Sequence, residues 1–312
     1  MRTLLIITSS SERTASWKER EAYIKQFCDD IEGRLTDVRL LFTTYGDLAF
    51  SVIDGECRVY DSRNRIDLRD VQLVQFKNWF HDIEEAGLIA QFLKFKGIKF
   101  FNSEADNGLM RSKINQMFVL GQAGIPVPDT FYAKKTSLID IFSSGEMPQG
   151  FGLPLIMKAN FGSKGENNYL VKDLDRAIRI LKDEANSDFE FVLQNYIEND
   201  GDYRFLFIGL DSAPLVIRRT PAAGSHLNNT SQGGQGSFIK LDSLPAEMLE
   251  YARQAARLLK REIGGADVLV DKQSGKILIL EVNGTPALAT GYGTDEKAAR
   301  FAEFLDDFFK RD

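Results

Sequence analysis

The chain has 312 residues, a length that fits two domains of about 150 residues each and leaves three small ones open. Its 43% hydrophobic and 27% charged residues are ordinary for a globular protein and exclude disorder over the bulk of the chain. With 39 Lys+Arg against 45 Asp+Glu the formal net charge is −6, and an acidic chain without basic blocks lacks the footprint of a nucleic-acid binder.

Residues 4–8 are a short apolar run ending in three serines, the pattern of a buried first strand and its loop. Helical spacing follows over 18–31, and residues 38–43 read as a second strand. Residues 50–60 alternate on either side of Asp54-Gly55, a hairpin signal. A strand at 71–76, a helix at 87–97 and a last strand at 99–101 complete an open α/β sheet with an inserted hairpin. A second unit begins near Asn102 with a helix over 106–123, which Gly124 stops, and the proline-containing stretch 125–130 is an extended connector. Residues 155–158, 169–171 and 191–193 are short strands, with a helix at 174–186 between the last two. Beyond them come strands at 204–208 and 215–219, a Gly/Asn/Ser-rich loop at 222–236, and a helix at 245–263 with Pro245 in its first turn. A hairpin of 268–270 with 277–282 precedes the final helix, whose apolar stripe carries Phe301, Phe304, Leu305 and Phe308. The expected partition is 1–102, 103–193 and 194–312.

Cys28 and Cys57 cannot make a disulfide framework, and His81 and His226 cannot make a His-rich zinc site. Neither histidine is accompanied by a G-x-S-x-G elbow, which removes the usual serine hydrolase. No run approaches about 18 apolar residues, so no membrane partner is expected. The run at 4–7 is too short for a signal segment, and the expected location is cytoplasmic.

Three constellations carry chemistry. In the last hairpin, alternation puts Glu281 and Asn283 on one face of a strand, and pairing brings Asp267 opposite that end. Two carboxylates and an amide are hard oxygen ligands, suited to Mg²⁺ bound together with nucleotide phosphates. Next, Lys158 leaves an apolar strand and the loop Gly162-Ser163-Lys164-Gly165 follows, so backbone N–H groups and an ammonium can receive phosphate. The loop lacks Walker A spacing. Finally, Gln194, Asn195, Tyr196 and Ile197 lead from a strand into a connector whose backbone can meet an adenine edge. Arg204 with Arg218 or Arg219 offers fixed cations. Arg218 and Arg219 are neighbours, so only one can face the site; Arg218 is taken with Arg204 as the catalytic pair.

In this order the motifs resemble the ATP-grasp superfamily, nearest to the branch of the ribosomal protein S6 modification enzyme and its lysine-biosynthesis relatives. The resemblance runs from Ser112 to Glu281 and beyond. It includes Lys113, the Gly124-Ile-Pro-Val-Pro128 link, Gly201-Asp202-Tyr203-Arg204, Asn229 with Gly233-Gly234, and Glu281-Val-Asn283-Gly-Thr-Pro286. It implies an α/β fold, α+β in the C-terminal half, with an N-terminal open α/β sheet domain before the ATP-grasp halves. It also implies ATP and Mg²⁺ as cofactors, Lys113 and Lys158 on the phosphates, and the loop of Gly162, Ser163 and Gly165 as their flap. The adenine would lie on Gln194 to Ile197, with Asp202 nearer the ribose and Asp267, Glu281 and Asn283 on two metal ions. The implied reaction joins a carboxylate to an amine through an acyl-phosphate, on an amino acid, peptide or protein. Peptide macrocyclisation, small-molecule phosphotransfer and non-catalytic nucleotide binding are the alternatives, and a homo-oligomer is left open. Three departures stand out: Glu166-Asn-Asn168 after the flap where relatives have Gly-Val, no arginine near Asn229, and Ala287 where many relatives have Gly.

Overall fold

The computed structural model describes residues 1–9, 15–106, 112–162, 167–222, 228 and 234–311. Its N-terminal part runs β1 (Arg2–Thr8), α1 (Ala15–Glu32), β2 (Val38–Thr44), β3 (Leu48–Ile53), β4 (Glu56–Asp61), β5 (Ile66–Asp67), β6 (Leu73–Phe76), α2 (Ile83–Lys96) and β7 (Lys99–Phe101). Four of these strands form a parallel sheet in the order β2-β1-β6-β7. Leu4 to Ile7 are buried on both faces, as a parallel strand requires when both sides are covered. Leu5 and Ile7 face a core shared with α2, whereas Leu4 and Ile6 face α1 and the C-terminal helix. The expected hairpin is β3 and β4, with Asp54 and Gly55 at positive φ in the two-residue turn.

The middle of the chain gives α3 (Lys113–Gln122), β8 (Thr130–Tyr132), α4 (Lys135–Ser143), β9 (Leu155–Ala159), β10 (Asn168–Val171), α5 (Leu174–Lys182) and β11 (Phe191–Asn195). Its antiparallel sheet has the order β10-β9-β11-β8, with Leu138 and Phe142 of α4 and Ala177 and Leu181 of α5 in its core. The helix expected over 106–123 is seen as α3 only from Lys113; Ser112 caps it by accepting from Asn115 N–H at 3.2 Å. Residues 107–111 lie outside the described residues.

The last part is β12 (Asp202–Ile208), β13 (Leu215–Thr220), β14 (Gln235–Ile239), α6 (Ala246–Leu258), β15 (Ile263–Val270), β16 (Ile277–Asn283) and α7 (Thr294–Arg311). The sheet order is β14-β13-β12-β15-β16, antiparallel throughout. The helix expected to reach residue 263 ends at Leu258, and Ile263 opens β15 instead. One face of this sheet, with Phe205, Phe207, Ala266 and Val282, packs on α6 and also on Met117 and Leu120 of α3. Thus α3 shares the core of the C-terminal sheet rather than that of the central one. The expected boundary at 194 falls inside β11, and α3, placed after the boundary at 103, packs on the C-terminal sheet, so the partition remains a proposal.

The other face of the C-terminal sheet is divided. Leu206, Ile208 and Ile263 dock against Leu4, Ile6 and Phe301. Farther along, the same face carries Asp202, Arg204, Arg219, Asp267, Glu281 and Asn283. The joint is fixed by Asn102, whose Nδ2 donates to Phe76 O at 3.2 Å and Gly284 O at 2.5 Å and whose Oδ1 accepts from Ile263 N–H at 3.0 Å. Beside it the buried Glu104 pairs with Arg261 at 3.4 Å, and burial pushes its carboxyl up to about 7. No helix among the described residues is long and apolar enough to cross a membrane.

Candidate functional site

Lys158 projects from β9 of the central sheet and Lys113 opens α3. Lys113 Nζ donates to Gly162 O at 3.1 Å. Burial holds both ammonium groups below the ordinary lysine range, Lys158 at about 8; Glu281 acts on each in the opposite sense, and Lys113 further lowers Lys158. Two buried lysines facing a carboxylate across a gap between two sheets can receive an anion, since a bound polyanion favours the charged form of each. Ser163 and Gly165, expected in the flap with Gly162, lie outside the described residues, as do His226 and Asn229.

Next to the lysines is a cavity of about 110 Å³. Ile156 and Lys158 line it from the central sheet, Leu269 and Leu280 from the C-terminal sheet, and residues 194–197 along its side. Leu280 reaches it because the β15–β16 register shifts between Asp267 and Val268. The polar side chains at the start of the segment are engaged: Gln194 Nε2 donates to Thr130 Oγ1 at 2.8 Å and Asn195 Nδ2 to Gly150 O at 3.0 Å. A flat ring between Ile156 and the two leucines would therefore meet Gln194 and Asn195 through their backbone.

The polar half of the C-terminal sheet is an ion network. Arg219 Nε and Nη2 donate to the two oxygens of Asp202 at 2.6 and 2.7 Å, and Nη2 also lies 2.9 Å from Asp267 Oδ2. Arg204 Nε and Nη2 donate to Asp267 at 2.7 Å each. Burial opposes ionisation of Asp267, but Arg204 and Arg219 outweigh it and hold its carboxyl below the usual range. Burial raises Asp202 against the pull of Arg219. Burial likewise works against the charge of Arg219, yet Asp267 and Asp202 overcome it and push its pKa up. Glu281, paired in register with Asp267, accepts from Asn283 Nδ2 at 2.9 Å. Among the described residues no three His, Cys, Asp or Glu converge as a metal site. Any divalent ion here would complete its shell with Asn283 and ligand oxygens.

Two of the expected site residues are placed as follows. Asp202, expected near a ribose, is 3% exposed with both oxygens committed to Arg219. Arg218 is opposite Tyr203, on the face away from Asp267, so Arg219 is the arginine of the polar face. Sequence reasoning could state that only one of the two faces the site, but the choice needs the β12–β13 register. Lys297 of α7, which no motif contains, donates its Nζ to Ala287 O at 2.8 Å and Thr290 O at 3.0 Å in the loop after β16. Burial brings that amine down to about 8.

The Gly201-Asp202-Tyr203-Arg204 motif has a steric reason at its first position. Gly201 sits at φ +115, and a Cβ there would be 2.2 Å from the carbonyl oxygen of Arg219. Gly201→Ala is expected to cost about 2–4 kcal/mol in urea unfolding, because backbone at that contact cannot step aside cheaply.

The RimK-like ATP-grasp domain family matches residues 110–300. The chain belongs to this family. A probable alpha-L-glutamate ligase 2 of Shewanella sp. (strain W3-18-1) is 26% identical over 229 residues, 71% of each chain. Among solved structures, a Chryseobacterium gregarium RiPP-associated ATP-grasp ligase, in complex with ADP and a leader and core peptide, superposes with a TM-score of 0.65. The identity is 13%, over 98% of this chain and 97% of that one. D-alanine–D-alanine ligase from Bacillus anthracis gives a TM-score of 0.65 at 19% identity, covering 99% of this chain and 97% of that one. The ATP-grasp reading of the ordered motifs, and the ATP-dependent ligase class that goes with it, agree with these findings.

Proposed function

We propose that the chain is an ATP- and Mg²⁺-dependent, ADP-forming ligase that joins a carboxylate to an amine on an amino acid, peptide or protein. The observation that carries this reading is the placement of Lys113 and Lys158 opposite Glu281 and Asp267, beside a cavity that Ile156, Leu269 and Leu280 line together with asparagines. In it the cavity takes the adenine, the two lysines receive the phosphates, and Glu281, Asn283 and Asp267 hold the metal. The donor set fits Mg²⁺: its atoms are hard oxygens, and Glu281 is bonded to an amide rather than to an arginine. Bound there, the ion would neutralise charge on the phosphates. The acceptor carboxylate oxygen attacks the γ-phosphorus as the bond to ADP breaks. The amine nitrogen then attacks the acyl carbon, phosphate leaves, and the nitrogen gives up a proton. Lys113, Lys158 and Arg204 are the cations available to stabilise negative charge along this path.

ADP release measured against a panel of amino acids and peptides, with intact-mass analysis of products, tests the reaction. Release only when carboxylate and amine are both present, with a product one water lighter than their sum, is the expected result. Release with a single acceptor would make the protein a phosphotransferase, and ATP binding without turnover would remove the ligase reading.

Lys158 adds a pH signature. Its amine is charged below about 8 and neutral above, and only the charged form attracts phosphate. ATP affinity is therefore expected to weaken several-fold between pH 7 and 9, by fluorescence or calorimetric titration. Lys158→Met should bind weakly and lose that slope; a slope unchanged in this variant would assign it to another group.

A further inference from the structure

The two arginines on Asp267 are not equivalent. Arg219 is locked in place: its side chain is 4% exposed, and Asp202 grips it through two bonds. Arg204 is 22% exposed at its side chain, and among the described residues its ion pair is with Asp267 alone. It also runs past Gly265, where even a Cβ would lie 3.4 Å from its Cδ and Nε, so no neighbouring side chain covers it from that position. Asp202, Arg219, Asp267 and Arg204 together carry two negative and two positive charges, so the network offers a divalent ion no net attraction. Arg204 donates to both oxygens of Asp267, the atoms a dication would need there. Two like charges on one carboxylate repel strongly even at an effective dielectric constant of about 20.

We propose that Arg204 is the resting counterion of Asp267, held where the metal's charge is needed, and that metal binding drives it off. The metal reading of Asp267 and Glu281 underlies this exchange. A metal arriving alone displaces Arg204 and leaves it without a partner, whereas a metal arriving with a triphosphate brings an anion for Arg204 to meet. Metal and nucleotide are thereby made to load together, and Arg204 is a positioning residue for that loading before it takes part in any chemistry.

Mn²⁺ alone, titrated into the full chain and followed by loss of its free-ion EPR signal, is the direct probe. Arg204→Gln is expected to bind Mn²⁺ at least tenfold more tightly than the wild type, while Arg204→Lys, which keeps the charge, stays close to wild type. An affinity for Arg204→Gln equal to or weaker than wild type overturns the exchange, as does Arg204→Lys binding as tightly as Arg204→Gln. Glu281→Gln placed in the Arg204→Gln background separates the two levels. Loss of Mn²⁺ there keeps the metal site at Glu281, so a failed exchange falls alone. Retention of Mn²⁺ puts the ion elsewhere, and the site assignment falls with the exchange.

Discussion

Glu281→Gln is expected to lower ADP release by about 10³-fold or more while leaving the fold in place, the loss corresponding to several kcal/mol of transition-state stabilisation. Asp267, its register partner, is already neutralised by Arg204 and Arg219. Glu281 is the carboxylate of the polar face bonded to an amide instead, so its charge is the one on hand for a metal. The substitution keeps an oxygen for Asn283 Nδ2 and changes no volume, so the melting temperature should stay within a few degrees. A second effect follows through Lys158. Burial holds that amine at about 8, with Glu281 pulling it upward. Without the carboxylate the amine falls further, and the pH at which ATP affinity declines should move down. Activity close to wild type in this variant would remove Glu281 from the metal site, whatever its effect on Lys158.

The legibility of this site in the sequence followed the range of the interactions involved. Glu281 and Asn283 could be put on one face because strand alternation is local, and Leu4 to Ile7 announced a buried strand by composition alone. The β3–β4 turn was equally local, since Asp54-Gly55 matches the positive φ found at both positions. β15 starts earlier than its sequence predicts, because Gly264, Gly265 and Ala266 lack the branched side chains that mark a strand, although all three are buried in the sheet. β14 carries Gln235, Gly236 and Ser237, and β8 spans three residues after two prolines, so neither stood out. The choice between Arg218 and Arg219 depends on a cross-strand register, and a slip of one residue exchanges the faces. The burial of Asp202 was hidden for the same reason: an acid that begins a strand looks solvated until its partner strand is placed.

Arg219→Met should be among the most destabilising single changes in the chain, by about 3–5 kcal/mol, because it leaves Asp202 buried without its cation. The two residues are each 3% exposed and joined by two bonds, so neither can turn to water without opening the sheet. The pH dependence gives the cause. Burial already raises the Asp202 carboxyl, and Arg219 is what restrains it. Once Arg219 is removed, the folded state holds a proton on Asp202 that the unfolded state releases until near its ordinary value of about 3.9. Stability of the variant relative to wild type should then recover as pH falls from 7 toward 5, the direction linkage requires of an acid whose folded pKa is raised. Asp202→Leu combined with Arg219→Met removes both charges and should regain most of the loss, since apolar replacement of a whole buried pair is often neutral. Urea unfolding of the two variants at pH 5 and 7 decides the matter. A loss below about 1 kcal/mol for Arg219→Met, with no pH dependence, would mean that Arg204 or water can take over the role assigned here to Arg219.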